Sequence, residues 1–94
     1  MNELVFVNMA TAEALPGENG ELMKRMKAFA EALRSKPGLV NVYVLREDGT
    51  ENFVGLSIWA DKASFDSGMA SVLPLPSKVA VTKHPPVVRQ FKEA

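Results

Sequence analysis

Hydrophobic and polar positions alternate along Phe53-Val54-Gly55-Leu56-Ser57-Ile58-Trp59, and the alternation ends at Ala60-Asp61. A period of two puts Val54, Leu56 and Ile58 on one face of a strand and Phe53, Gly55, Ser57 and Trp59 on the other. The second face sets two very small residues between two large aromatic ones. On a packed face that leaves a hole, unless another element or a ligand fills it. Glu3 to Ala10 also alternates, with Val5, Val7 and Met9 on one side and Leu4, Phe6, Asn8 and Ala10 on the other. Both rows are apolar apart from Asn8, which predicts a strand covered on both faces, followed by a loop from Thr11 to Asn19.

Leu22, Met26, Phe29 and Leu33 recur at helical spacing and predict a helix from about Gly20 to Ser35. Asn19 is placed to cap it, and Lys36-Pro37-Gly38 to stop it. Leu39 to Glu47 reads as a second strand and Thr50 to Ala60 as a third, joined by a two-residue Asp48-Gly49 hairpin. Asp61 is placed as the cap of a helix from Lys62 to about Ala70 that buries Ala63, Phe65 and Met69. Pro74, Pro76, Pro85 and Pro86 interrupt the next stretch, in which Ser77 to Lys83 can form a short helical turn. Val87 to Lys92 is the last strand. This order predicts a single α+β domain over residues 1–94: a ferredoxin-like split βαβ, with an antiparallel sheet and both helices on one face. The other face is apolar and the chain supplies no third layer, so a homodimer is expected to cover it.

Composition narrows the function. Eleven Lys and Arg balance eleven Asp and Glu. That argues against nucleic acid or an anionic membrane as the main partner. The chain has no cysteine and one histidine, which excludes a disulfide framework, a thiolate nucleophile and a multi-histidine metal site within one chain. No apolar stretch approaches a membrane span, and the first residues lack the pattern of a signal peptide. A soluble, cytoplasmic protein is expected, with a small-molecule substrate, a second copy of itself as partner, and neither metal nor cofactor.

Lys36-Pro37-Gly38-Leu39, the valine-rich strand and hairpin after it, Ser57-Ile58-Trp59 and Asp61-Lys62-Ala63-Ser64-Phe65 together resemble the antibiotic biosynthesis monooxygenase family. The resemblance runs from Glu3 to Phe91. It implies a dimeric α/β barrel, in which two ferredoxin-like sheets close against each other and each subunit has a pocket between sheet and helices. Some members of that family oxidise anthrones or quinols without metal or flavin, and others degrade haem. Related barrels serve as isomerases or stress proteins. The haem-degrading members use an asparagine near the end of strand one, a tryptophan at the exit of strand three and a histidine on the second helix. Asn8 and Trp59 match the first two, and Met69 stands about where the histidine would be. Gly55 sits where the anthrone oxidisers suggest an asparagine.

Cofactor-free oxygenation needs a substrate that becomes a carbanion or enolate, and a pocket that excludes water and stabilises the developing oxyanion. Asn8 and Trp59 are donors of the right kind, and Ser57 shares the strand face of Trp59. Phe6 and Phe53 would wall a planar ligand beside Gly55. His84 is the candidate proton acceptor, because its ordinary pKa lies near neutrality. Each has a plainer reading: Trp59 as strand-end packing or a dimer contact, Asn8 as a partner for a backbone group, Gly55 and Ser57 as room for a helix, His84 as an exposed loop residue. Met23, Met26 and Met69 read as adaptable packing. The reading is a cofactor-independent monooxygenase of a small aromatic or quinol-like substrate. The alternatives are a non-catalytic ligand-binding or stress-response barrel and, third, a haem-binding or haem-degrading protein.

Overall fold

In the computed structural model, described over residues 5–72 and 81–94, the strands β1 (Phe6–Glu13), β2 (Leu39–Arg46), β3 (Asn52–Trp59) and β4 (Val87–Lys92) form one antiparallel sheet in the order β2-β3-β1-β4. Helix α1 (Asn19–Leu33) follows β1, and α2 (Lys62–Ser71) follows β3. Both pack on the sheet face that carries Phe6, Val42, Phe53 and Trp59. This is the ferredoxin-like α+β arrangement that the element order predicts. No helix among the described residues is long and apolar enough to cross a membrane.

Local chemistry explains most boundaries. Asp61 is extended and accepts from Ser64 N–H at 2.7 Å, which caps α2. Gly38 stops the chain after α1 with φ +85°, a region glycine enters freely, and a Cβ there would meet Ser64 Oγ at 2.2 Å. The β2–β3 connection is longer than a two-residue hairpin: Glu47 pairs with Asn52, and Thr50 N–H closes a turn onto the Glu47 carbonyl at 3.2 Å. Gly49, at the third position of that turn, takes φ +77°.

Four further expectations are corrected. β1 continues through Thr11, Ala12 and Glu13, because these pair with Val54, Phe53 and Asn52 and bury Ala12. Ala14 then bridges Thr82, so Thr82 is extended rather than helical, while residues 77–80 lie outside the described residues. Asn19 is inside α1 rather than capping it; its side-chain amide donates to the Glu51 carboxylate, and Glu18 takes the cap position without a side-chain bond. Ala63 is exposed, and Gly68 is the residue α2 buries.

The sheet face away from the helices is apolar. It carries Val7, Met9, Val54, Leu56 and Ile58, all half-buried, with Tyr43, Leu45, Val87 and Phe91 at 42–50 % exposure toward its edges. On the helix side, Trp59 is wholly buried. Its ring lies edge-on to Phe65 at 6.0 Å, and Phe65 in turn lies 5.0 Å from Phe6. Burying a tryptophan removes roughly 200 Å² from water and contributes about 5 kcal/mol. The indole fits only because position 68 has no side chain: a Cβ there would lie 2.5 Å from Trp59 Cη2 and 2.7 Å from Cζ3. Gly68→Ala is therefore expected to destabilise the fold by about 1–3 kcal/mol in urea unfolding. Gly20→Ala, with nothing within 4 Å of its new Cβ, is expected to be neutral or slightly stabilising.

Candidate functional site

The middle of the sheet is bare between two buried clusters. Phe6, Val42 and Trp59 close with Ala30 and Leu33 at one end, and Ala12, Ala14 and Phe53 close with Leu22 and Val81 at the other. Between them the β1–β3 register sets Asn8 opposite Ser57 and Ala10 opposite Gly55. These short side chains do not fill the gap to the helices, and a cavity of about 200 Å³ remains. Its floor is Asn8, Ala10, Gly55 and Ser57; Met26, Phe29 and Leu33 of α1 form its ceiling, and α2 adds Met69. An apolar cavity of about 150 Å³ holds benzene, so this one admits a single ring with small substituents.

Two polar groups stand in that floor. Asn8 is 8 % exposed and Ser57 5 %. Asn8 Oδ1 accepts from Gln90 Nε2 at 3.2 Å, while Asn8 Nδ2 and Ser57 Oγ make no hydrogen bond to any described residue. Directly opposed residues on adjacent strands have Cβ atoms about 5 Å apart, so one ligand atom can meet both. Among the described residues Tyr43 is the only titratable one in the lining, and its hydroxyl is engaged by Asn41 Nδ2 at 2.7 Å in an exposed contact.

Of the residues singled out from sequence, Asn8, Gly55 and Ser57 meet at this cavity. Phe6, Phe53 and Trp59 are buried in the flanking clusters and are not in its lining. Trp59 Nε1 is buried without a hydrogen-bond partner among the described residues. His84 is exposed, its Nδ1 2.9 Å from the Pro85 carbonyl, and does not line the cavity, although Thr82 and Pro86 on either side of it do.

The segment with Thr82 is tied to the end of β1. Leu15 N–H donates to the Val81 carbonyl at 2.8 Å, and Lys83 N–H to that of Glu13 at 3.0 Å. Lys83 Nζ reaches Glu13 Oε2 at 2.7 Å, and this bond and charge hold the Glu13 carboxyl below its ordinary range. His84 Nε2, 3.7 Å from Oε1, adds a weaker pull.

The family model for antibiotic biosynthesis monooxygenase matches residues 5–72, more than half of the chain. The chain belongs to that family. No curated protein matches it in sequence. The monooxygenase-family fold is shared with PA3566 of Pseudomonas aeruginosa (TM-score 0.85, 15 % identity, 100 % of this chain and 98 % of that one). It is shared with Rv0793 of Mycobacterium tuberculosis (TM-score 0.81, 12 % identity, 96 % and 95 %). It is also shared with the heme-degrader MhuD (Rv3592) of M. tuberculosis, whose structure has two hemes bound in its active site (TM-score 0.70, 20 % identity, 94 % and 94 %).

The residues of this family member do not fit haem. α2 carries no histidine, His84 is exposed outside the lining, and among the described residues the cavity offers the thioethers of Met26 and Met69 and a Tyr43 hydroxyl that is engaged by Asn41 in an exposed contact, whereas haem iron is held by a histidine, thiolate or phenolate, with a thioether as partner to a histidine. No group of three or more His, Asp or Glu among the described residues is placed to hold a metal ion.

Sequence reasoning treated Met26, Phe29 and Leu33 as core and not as a ceiling, and it passed over Thr82, Pro86 and Gln90. The signal for the ceiling was present, because the helical stripe had to lie over the two small residues of β3.

A Cβ on Gly55 would stand 3.5 Å from Met26 Cε, an ordinary contact. Gly55→Val should therefore fold with an unchanged or raised midpoint of thermal unfolding, its methyl groups occupying the cavity. Binding of single-ring aromatics, read by calorimetry, should fall at least about tenfold, since the added groups take the volume a ligand needs. Unchanged binding would place the ligand elsewhere.

Proposed function

We propose that the protein oxidises a small aromatic or quinol-like substrate with dioxygen, without a bound cofactor. The observation that carries this reading is the pair of donors, Asn8 Nδ2 and Ser57 Oγ, without a partner among the described residues and side by side beneath an apolar ceiling. Donors aimed at a buried point stabilise an oxyanion far more than they would in water. In the keto tautomer of a bound single-ring hydroquinone the ring CH₂ loses a proton, and the charge delocalises onto the oxygen that the two donors hold. The carbanion passes one electron to dioxygen, and the two radicals join as a carbon-bound peroxide. With a proton taken up, that peroxide loses water and leaves C=O. One oxygen atom stays in the product and the other departs as water.

In this reading Asn8 and Ser57 orient the substrate, Trp59 shapes one end of the site from the flanking cluster with Phe6, and Phe53 bounds the other end beside Gly55. His84, between two lining residues, takes the proton at the rim. Oxygen uptake with a panel of single-ring hydroquinones tests it. Uptake above autoxidation should fall about 100-fold in Asn8→Ala or Ser57→Ala, the usual loss for an oxyanion donor, and should fall in Trp59→Phe. Uptake indifferent to all three substitutions would remove these roles.

The absence of a free titratable side chain from the lining among the described residues favours a second reading, a binding barrel without turnover. Thermal stabilisation by the same aromatics, with no enzyme-dependent uptake, would establish that reading instead.

The homodimer is part of the proposal. Tyr43, Leu45, Val87 and Phe91 leave an apolar sheet face that a second copy covers by the same face. Light scattering at micromolar concentration should give twice the 10.2 kDa chain mass, and Phe91→Asp should return the monomer. A monomeric wild type would exclude the barrel.

A further inference from the structure

The polar row in the cavity floor extends to the edge of the sheet. Val42, Ser57, Asn8 and Gln90 stand in register on β2, β3, β1 and β4. Gln90 is exposed on the edge strand, and its Nε2 donates to Asn8 Oδ1 at 3.2 Å. A carboxamide carries its acceptor and its donors on one planar group, so fixing the oxygen fixes the NH₂. With Oδ1 tied toward β4, Nδ2 is left on the side of Ser57 and the cavity, where it has no protein partner among the described residues. With Gln90 in place the Asn8 amide turns over only if the Gln90 amide turns with it, whereas without Gln90 it turns alone and presents its carbonyl instead.

We propose that Gln90 is a positioning residue: it locks the Asn8 carboxamide with its NH₂ toward the cavity and so selects ligands bearing an anionic or acceptor oxygen there. This rests on the oxyanion-binding reading of the site and adds the group that sets its polarity. Gln90 does not touch the ligand; its effect passes through Asn8.

The polarity can be inverted from outside the cavity. In Gln90→Glu the new carboxylate accepts but does not donate, so Asn8 must turn to donate Nδ2 to it and show Oδ1 to the cavity. In Gln90→Met the hold is lost without a change of charge. The probes are 4-nitrophenol at a pH where it is ionised and 4-nitroaniline, which has the same shape and offers a donor. Binding is followed by the absorbance of each ring.

Wild type should bind the phenolate about tenfold or more tightly than the aniline, the difference one charge-assisted hydrogen bond makes. Asn8→Ala should abolish that preference. Gln90→Met should reduce it several-fold. Gln90→Glu should reverse it, with a gain in nitroaniline affinity that the negative charge alone would not produce. Because Gln90 is exposed, both variants should keep the wild-type unfolding midpoint.

A preference that vanishes in Asn8→Ala but stands unchanged in both Gln90 variants would overturn the positioning role and leave the oxyanion site intact. A wild type with no preference for the phenolate would overturn both. A Gln90→Glu protein that loses phenolate affinity without gaining nitroaniline affinity would reduce Gln90 to a field effect and overturn the amide lock.

Discussion

The cross-strand pairs between β1 and β3 run from Phe6↔Trp59 to Glu13↔Asn52. In this register aromatic side chains on the helix face stand at the two ends of the pairing, and small ones meet in the middle. Slipping one residue would turn Asn8, Ala10, Gly55 and Ser57 out of line with their neighbours and put Val7 and Met9 under the helices. Slipping two would keep the faces but bring Phe6 opposite Ser57 and Phe53 opposite Ala10, filling the space with rings. The cavity therefore depends on this register. What pins it is the size of the aromatic residues, since both rows of β1 are apolar and hydrophobicity alone would not distinguish them.

A hole of about 200 Å³ is costly, because the residues that line it forgo packing contacts on one side. The cost is tolerated because each flanking cluster is closed on its own. Trp59 against Gly68 and Phe65 locks α2 to the sheet, and Phe53 with Leu22 and Val81 locks the start of α1 and the segment before β4. Neither cluster needs the cavity filled to hold its helix, so an occupant can enter and leave without the sheet coming apart.

The element order and the hole were legible in the sequence, because both follow from short-range pattern: the turn from period two to helical spacing at Asp61, the proline and glycine after α1, and Gly55 and Ser57 between two aromatic residues. What pairs with what was less legible. Thr11 to Glu13 looked like loop because threonine, alanine and glutamate are weak strand formers, yet pairing with β3 and burial of Ala12 extend the strand. Asn19 resembles a cap in isolation, but Glu51 draws its amide away. Gln90 gave no local signal at all. It matters through its place opposite Asn8, and the β1–β4 register is a long-range property that no window of sequence contains.

A shared fold need not carry a shared chemistry, and the residues of this cavity differ from those haem requires. MhuD, with 20 % identity over a sheet and helices that superpose at a TM-score of 0.70, has two hemes in its active site. In this chain α2 supplies a thioether at Met69. What the floor provides is two donors, and among the described residues the lining has no carboxylate or imidazole facing them. A site of that kind stabilises negative charge but cannot by itself create it from a weak acid. In the proposed oxidation the substrate must bring a proton it can lose readily, as phenols do. The donors then lower the cost of losing it by holding the anion, and the apolar ceiling keeps water from competing. In the proposed oxidation, acidity in the ligand and hydrogen-bond donors in the protein are thus complementary halves of one reaction, and the size of the cavity limits the first to molecules of about one ring.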